Sequence, residues 1–132
     1  MREAVHLKRV SNQFIKFAFV GVFNTALTAL TIWILLEKFQ FSNYLSNIVG
    51  FIIGLTNSFV WNRKWTFEST LGIGDTLIKF LITFAICYLV QLLNLYILLH
   101  YTDLEPFICQ FISIGIYTFI NFTLNKYYTF KS

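Results

Sequence analysis

Asn62-Arg63-Lys64-Trp65-Thr66-Phe67 is answered 63 residues later by Asn125-Lys126-Tyr127-Tyr128-Thr129-Phe130, and the reading of that pair decides the fold. The same offset, carried back without a gap, lays Phe14-Ile15-Lys16-Phe17 on Leu77-Ile78-Lys79-Phe80 and Ile34-Leu35-Leu36 on Ile97-Leu98-Leu99. Matches that fall in blocks and keep register mark an internal repeat better than chance likeness between apolar segments does. Residues 14–69 and 77–132 thus read as two copies of one unit, joined by a linker over 70–76.

Of the 132 residues, 57% are hydrophobic, 20% aromatic and only 12% charged, more apolar surface than a water-soluble domain of this size can hide. Four segments, about 14–36, 43–61, 77–99 and 105–125, carry charge only near their edges, and each is close to the ~20 residues that cross a bilayer. None shows the charged face at helical spacing that a water-exposed helix needs. An all-α membrane protein with four transmembrane helices is expected. The first apolar run is longer than the ~7–15-residue core of a cleavable signal peptide and lacks a small-x-small site after it, so it is expected to remain as a span.

The net charge is +4. With the amino terminus inside, Arg2, Lys8, Arg9, Lys16, Arg63, Lys64, Lys79, Lys126 and Lys131 all face the cytoplasm and only Lys38 lies outside. The positive-inside rule therefore predicts an N-in, C-in topology in the cytoplasmic membrane. Two spans per unit give both copies the same orientation, a tandem parallel repeat about an axis along the membrane normal. The basic surplus then faces anionic lipid, and no nucleic-acid partner is expected.

Residues 1–13 read as a basic lead-in lying on the inner leaflet. Helix one carries Gly21, Asn24, Thr25, Thr28 and Thr31 at steps of three and four, which predicts one polar face. The same positions in helix three hold Phe84, Cys87, Tyr88, Gln91 and Asn94. Helix two has Ser46, Gly50, Gly54, Ser58 and Asn62 in steps of four, a small-residue ladder read chiefly as a packing surface. Its counterparts in helix four are Cys109, Ser113, Tyr117, Asn121 and Asn125. The two cysteines lie at depths of ~18 and ~8 Å from the outer ends, too mismatched for a disulfide, and read as packing residues. Asp75 is a candidate cap for helix three, and Pro106 suits the first turn of helix four. Trp33 and Tyr96 form an outer aromatic belt, and Trp61, Trp65, Tyr127 and Tyr128 an inner one.

No stretch has the pattern of a catalytic centre, a metal site or a phosphate loop, so no enzyme, metal or cofactor is expected. The sequence does place cations at one depth. Lys16 and Lys79 start helices one and three, while Arg63 and Lys126 end helices two and four. Packed about the repeat axis, these four would ring the cytoplasmic mouth, with Arg63 gripping a phosphate in bidentate fashion and the lysines acting as point charges. Asn62 and Asn125 would offer amides to phosphate or sugar. A polar interior stripe of Asn24, Thr25, Thr28, Gln91, Asn94, Tyr117 and Asn121 would replace water behind them. The competing reading is that the cations only enforce topology and reach lipid phosphates.

Phe17-Ala18-Phe19-Val20-Gly21-Val22-Phe23-Asn24-Thr25, with Phe59-Val60-Trp61-Asn62-Arg63-Lys64-Trp65-Thr66-Phe67, resembles the GtrA-like family of small four-span proteins. The second copy fits through Asn121 to Phe130, although Lys126 and Tyr128 replace the more usual arginine and tryptophan. The resemblance implies a flippase role in cell-surface polysaccharide synthesis, moving a polyprenyl-phosphate-linked sugar to the outer leaflet for a membrane glycosyltransferase. Relatives of that kind serve O-antigen, teichoic acid and cell-wall arabinan modification. A different class of function, a non-transporting anchor or accessory subunit of a glycosyltransferase, fits the same residues. A small multidrug antiporter also has four spans, but proton coupling usually needs an intramembrane carboxylate, and Glu37, Asp103 and Glu105 read as outer-loop residues while Glu3, Glu68 and Asp75 read as inside. A four-helix bundle is narrow for a whole passage, so a homodimer or a groove open to lipid is expected.

Overall fold

The computed structural model describes residues 1–131; Ser132, the last residue of the second copy, lies outside the described residues. Among the described residues the regular structure is entirely helical: α1 (Arg2–Glu37), α2 (Asn43–Trp61), α3 (Ile73–Tyr101) and α4 (Pro106–Leu124), with π-helical turns Asn62–Thr66 after α2 and Asn125–Thr129 after α4. Counting those turns, four helices are long and apolar enough to cross a membrane, and the chain is a multi-pass membrane protein. Two compact units divide it, Met1–Glu68 and Ser69–Ser132. Each is a helical hairpin closed by its own π-turn.

In unit one, α1 is a single 36-residue helix, about 54 Å long at ~1.5 Å per residue against a hydrocarbon core of ~30 Å. The basic lead-in is therefore not a separate interfacial segment. No proline or glycine interrupts residues 2–20, so the helix runs through them unbroken. A short connection follows, with Gln40 in the left-handed region (φ 53°) and the Phe41 N–H bonded to the Leu35 carbonyl at 2.9 Å. Ser42 then caps α2, its side chain accepting from the Leu45 N–H at 3.2 Å.

The small-residue ladder packs the hairpin. Ser46, Gly50 and Gly54 are buried. A Cβ on Gly50 would stand 2.6 Å from Ile32 Cγ1, and one on Gly54 would collide with the Thr28 hydroxyl. Only hydrogen at these two positions lets α1 and α2 approach so closely.

Unit two repeats the plan with other chemistry. Its helix α3 starts at Ile73, four residues before the expected start, behind an N-cap at Gly72. Asp75 is not the cap; it lies in the first turn, where its charge favours the positive end of the helix dipole. Pro106 opens α4 in the first turn, where a missing N–H costs nothing. Cys87, Cys109 and Ser113 are fully buried between α3 and α4, the cysteines as free thiols.

Candidate functional site

The repeated motif does not follow its helix as a loop; it is the last turn of the helix, wound as π. The Phe67 N–H reaches the Asn62 carbonyl at 2.9 Å, five residues back, and the Phe130 N–H reaches Asn125 over the same distance. A π-turn accommodates one residue more than an α-turn and shifts the phase of everything after it. Thr66 and Phe67 are thereby turned inward and buried, and so are Thr129 and Phe130. The rings of Phe67 and Phe17 lie 6.2 Å apart, and those of Phe130 and Phe80 6.3 Å, which ties each turn to the start of the preceding span. Glu68, at φ 46°, ends the first of these turns in the left-handed region.

That phase shift places a cation beside an aromatic ring in each unit. Lys16 Nζ stands 5.3 Å from the Trp65 ring and donates to the Trp65 carbonyl at 3.5 Å. Lys79 Nζ stands 5.3 Å from the Tyr128 ring. Such stacking holds an ammonium without neutralising it, so its charge remains available to an anion. Arg63 and Lys126 occupy the same step of the two π-turns and are half-buried, Lys126 lying 5.5 Å from the Tyr127 ring. Unit one thus carries Lys16 and Arg63 on its π-turn end, and unit two carries Lys79 and Lys126.

The two asparagines expected to offer amides to a headgroup lie inside their units. Asn62 and Asn125 are 1% and 0% exposed. The Asn62 amide donates to Ser58 Oγ at 3.1 Å, and its oxygen accepts from the Thr66 hydroxyl at 2.8 Å. The Asn125 amide donates to the Asn121 carbonyl and side-chain oxygen at 2.8 and 2.9 Å. Both amide nitrogens donate inside their own helix, where they hold the turn that carries the cations. The buried threonines complete the arrangement, with Thr83 and Thr129 sharing a hydrogen bond of 2.8 Å. Thr66 and Thr129 stood in the quoted motif as a repeated hydroxyl; their burial depends on the π phase, which spacing alone does not reveal.

The interior stripe is kept in part. Asn24 and Thr28 are half-buried against α2, and the Asn57 amide donates to Asn24 Oδ1. Asn57 was not among the expected residues, although an asparagine in the apolar middle of a span was the available signal. Thr25 departs from expectation. One helical position further round than Asn24, it is exposed and bonds only its own helix at the Gly21 carbonyl, 3.0 Å away. In unit two, Gln91, Asn94, Tyr117 and Asn121 are half-buried, and the Asn94 amide donates to Ser113 Oγ at 3.4 Å. Beside the Lys16–Trp65 pair, Phe19, Val20, Phe23, Trp61 and Trp65 line a wholly apolar recess of about 240 Å³. Among the described residues no group of three or more His, Cys, Asp or Glu is placed to hold a metal ion.

Comparison with known proteins assigns this arrangement to a family. Residues 16–130 match the family described as GtrA/DPMS, transmembrane domain. The uncharacterized membrane protein YngA of Bacillus subtilis (strain 168) is 35% identical over 85 residues, 58% of this chain. That match spans 57% of the length of the curated relative. Both π-turns and all four spans fall within or across the matched range, and the chain belongs to the GtrA/DPMS transmembrane-domain family, a membrane domain of glycosylation-related proteins.

Proposed function

We propose that the protein carries a polyprenyl-phosphate-linked sugar across the cytoplasmic membrane, delivering it to a membrane glycosyltransferase that modifies a surface polymer. The observation that carries this reading is the recurrence, in both units, of a π-turn that carries a basic residue and an aromatic ring on which a lysine of the preceding helix is stacked. Family membership adds the link to glycosylation. In this reading Arg63 and Lys16 engage the phosphate in unit one, and Lys126 and Lys79 in unit two, while Asn62 and Asn125 hold the turns in shape.

The physical problem is to move a charged, hydroxyl-rich headgroup past hydrocarbon, where each unpaired polar group costs several kcal/mol. The chain lowers that cost in two ways. Cations meet the phosphate at the membrane face, and amide and hydroxyl groups such as Asn24, Thr28, Gln91 and Asn94 stand in for water along the spans. The isoprenoid tail stays in lipid, and the recess lined by Phe23 and Trp61 suits it. No bond is made or broken, so the activity needs no catalytic residue.

In vesicles reconstituted with the protein and a polyprenyl-phosphate sugar, Arg63→Ala is expected to slow leaflet exchange about tenfold, the cost of one charge-assisted hydrogen bond, with membrane insertion intact. Exchange at the rate of protein-free vesicles for the unmodified protein would favour the anchor reading instead.

A further inference from the structure

We propose that the inner end of α1 forms a binding site for a phosphate-bearing anion, present in unit one alone. Lys8, Arg9, Asn12, Gln13 and Lys16, with Val5, recur at steps of three and four along one helical face. With Thr66 and Glu68 they line a cavity of about 450 Å³, within the ~300–1,000 Å³ of ligand pockets. Three cations meet a single carboxylate there. Arg9 offers a planar fork that fits two phosphate oxygens at once, the two lysines add point charge, and Asn12 adds an amide.

Two features separate this set from charges that merely fix topology. The counterparts of Lys8, Arg9 and Asn12, 63 residues on, are Leu71, Gly72 and Asp75, so the second unit has no equivalent basic face. On the cavity wall Glu68 is held at φ 46°, a conformation that a residue with a Cβ adopts at some cost and that is concentrated at ligand sites. Glu68 is the one acidic group in the lining, and it sets the strength of the site by opposing the anion.

The site shares Lys16 with the proposed transport path but requires no leaflet exchange, so binding and transport fail or succeed separately. A phosphate group is the common chemistry; its source is a lipid headgroup or a soluble phosphate. The test uses full-length protein, stripped of lipid in a neutral detergent, titrated with phosphatidylglycerol and, separately, with inorganic pyrophosphate. Saturable binding of one equivalent is expected, weakened about tenfold or more in the Lys8→Gln/Arg9→Gln variant and strengthened severalfold in Glu68→Gln. Because loss of folding does not strengthen binding, the Glu68→Gln arm guards against a merely damaged variant. Binding of phosphatidylglycerol alone assigns the lipid headgroup, and binding of pyrophosphate with the same sensitivity assigns the free phosphate. No binding of either probe, or affinities that all three proteins share, would overturn the proposal.

Discussion

Position 20 is valine and its counterpart, position 83, is threonine, and the added hydroxyl enters a buried hydrogen-bond network. In unit one the Thr66 hydroxyl bonds Asn62 Oδ1. In unit two Thr129 bonds Thr83 instead, and Asn125 Oδ1 is left buried with no hydrogen-bond partner among the described residues. The comparison predicts unequal costs. Thr83→Val frees Thr129 to turn to Asn125 as Thr66 does to Asn62, and stability should change by no more than about 0.5 kcal/mol. Thr129→Val strands the Thr83 hydroxyl as well, and should cost about 1–3 kcal/mol. Unfolding of the two variants in mixed micelles decides it, and equal costs would contradict the scheme. At this scale the sequence shows which residues recur but not which way they face. Asn62 and Asn125 read as donors for a headgroup because amides can serve that purpose; the structure uses the same amides to close a turn.

The π-turn is the element on which both units depend. Removing its extra residue should return the end of α2 to α-helical phase and rotate Phe67 out of its contact with Phe17. Deletion of Lys64 is therefore expected to destabilise the protein by about 3–5 kcal/mol, as the loss of a buried phenylalanine does. Mutating the same exposed side chain to alanine should cost less than about 0.5 kcal/mol. Chemical unfolding of the deletion and the substitution side by side separates the backbone effect from the side-chain effect. Apart from the start of α1, the helices were legible to within a few residues, because unbroken apolar runs of this length have one solution in a bilayer. The π-turns were not, since an added residue leaves no mark in composition or charge. The continuous first third of α1 was missed for a related reason: basic residues with scattered Val and Leu suit either a surface segment or the projecting end of a long helix.

For the whole molecule, the exposed residues include most of the large aliphatic and aromatic side chains of the spans, among them Phe19, Val22, Leu89 and Phe119. Ser46, Asn62, Thr83, Ser113 and Asn125 lie buried inside their hairpins instead, an arrangement that makes lipid the solvent. Membrane sidedness is testable as a property of the full chain. With the amino terminus inside, a cysteine placed at Ser69, in a chain whose native thiols Cys87 and Cys109 are buried, is expected to react with an impermeant maleimide only in inside-out vesicles. One placed at Thr102 is expected to react only in right-side-out vesicles, and the reverse pattern would invert the assignment. Between these scales stands the pairing of Lys16 with Trp65. An ammonium resting on an indole face alters the light that the indole emits, and an anion that draws the ammonium away restores it. In the second unit the matching lysine, Lys79, rests on Tyr128, a phenol and not an indole. All three tryptophans lie in the first unit, so the protein's indole emission is an optical label for events there.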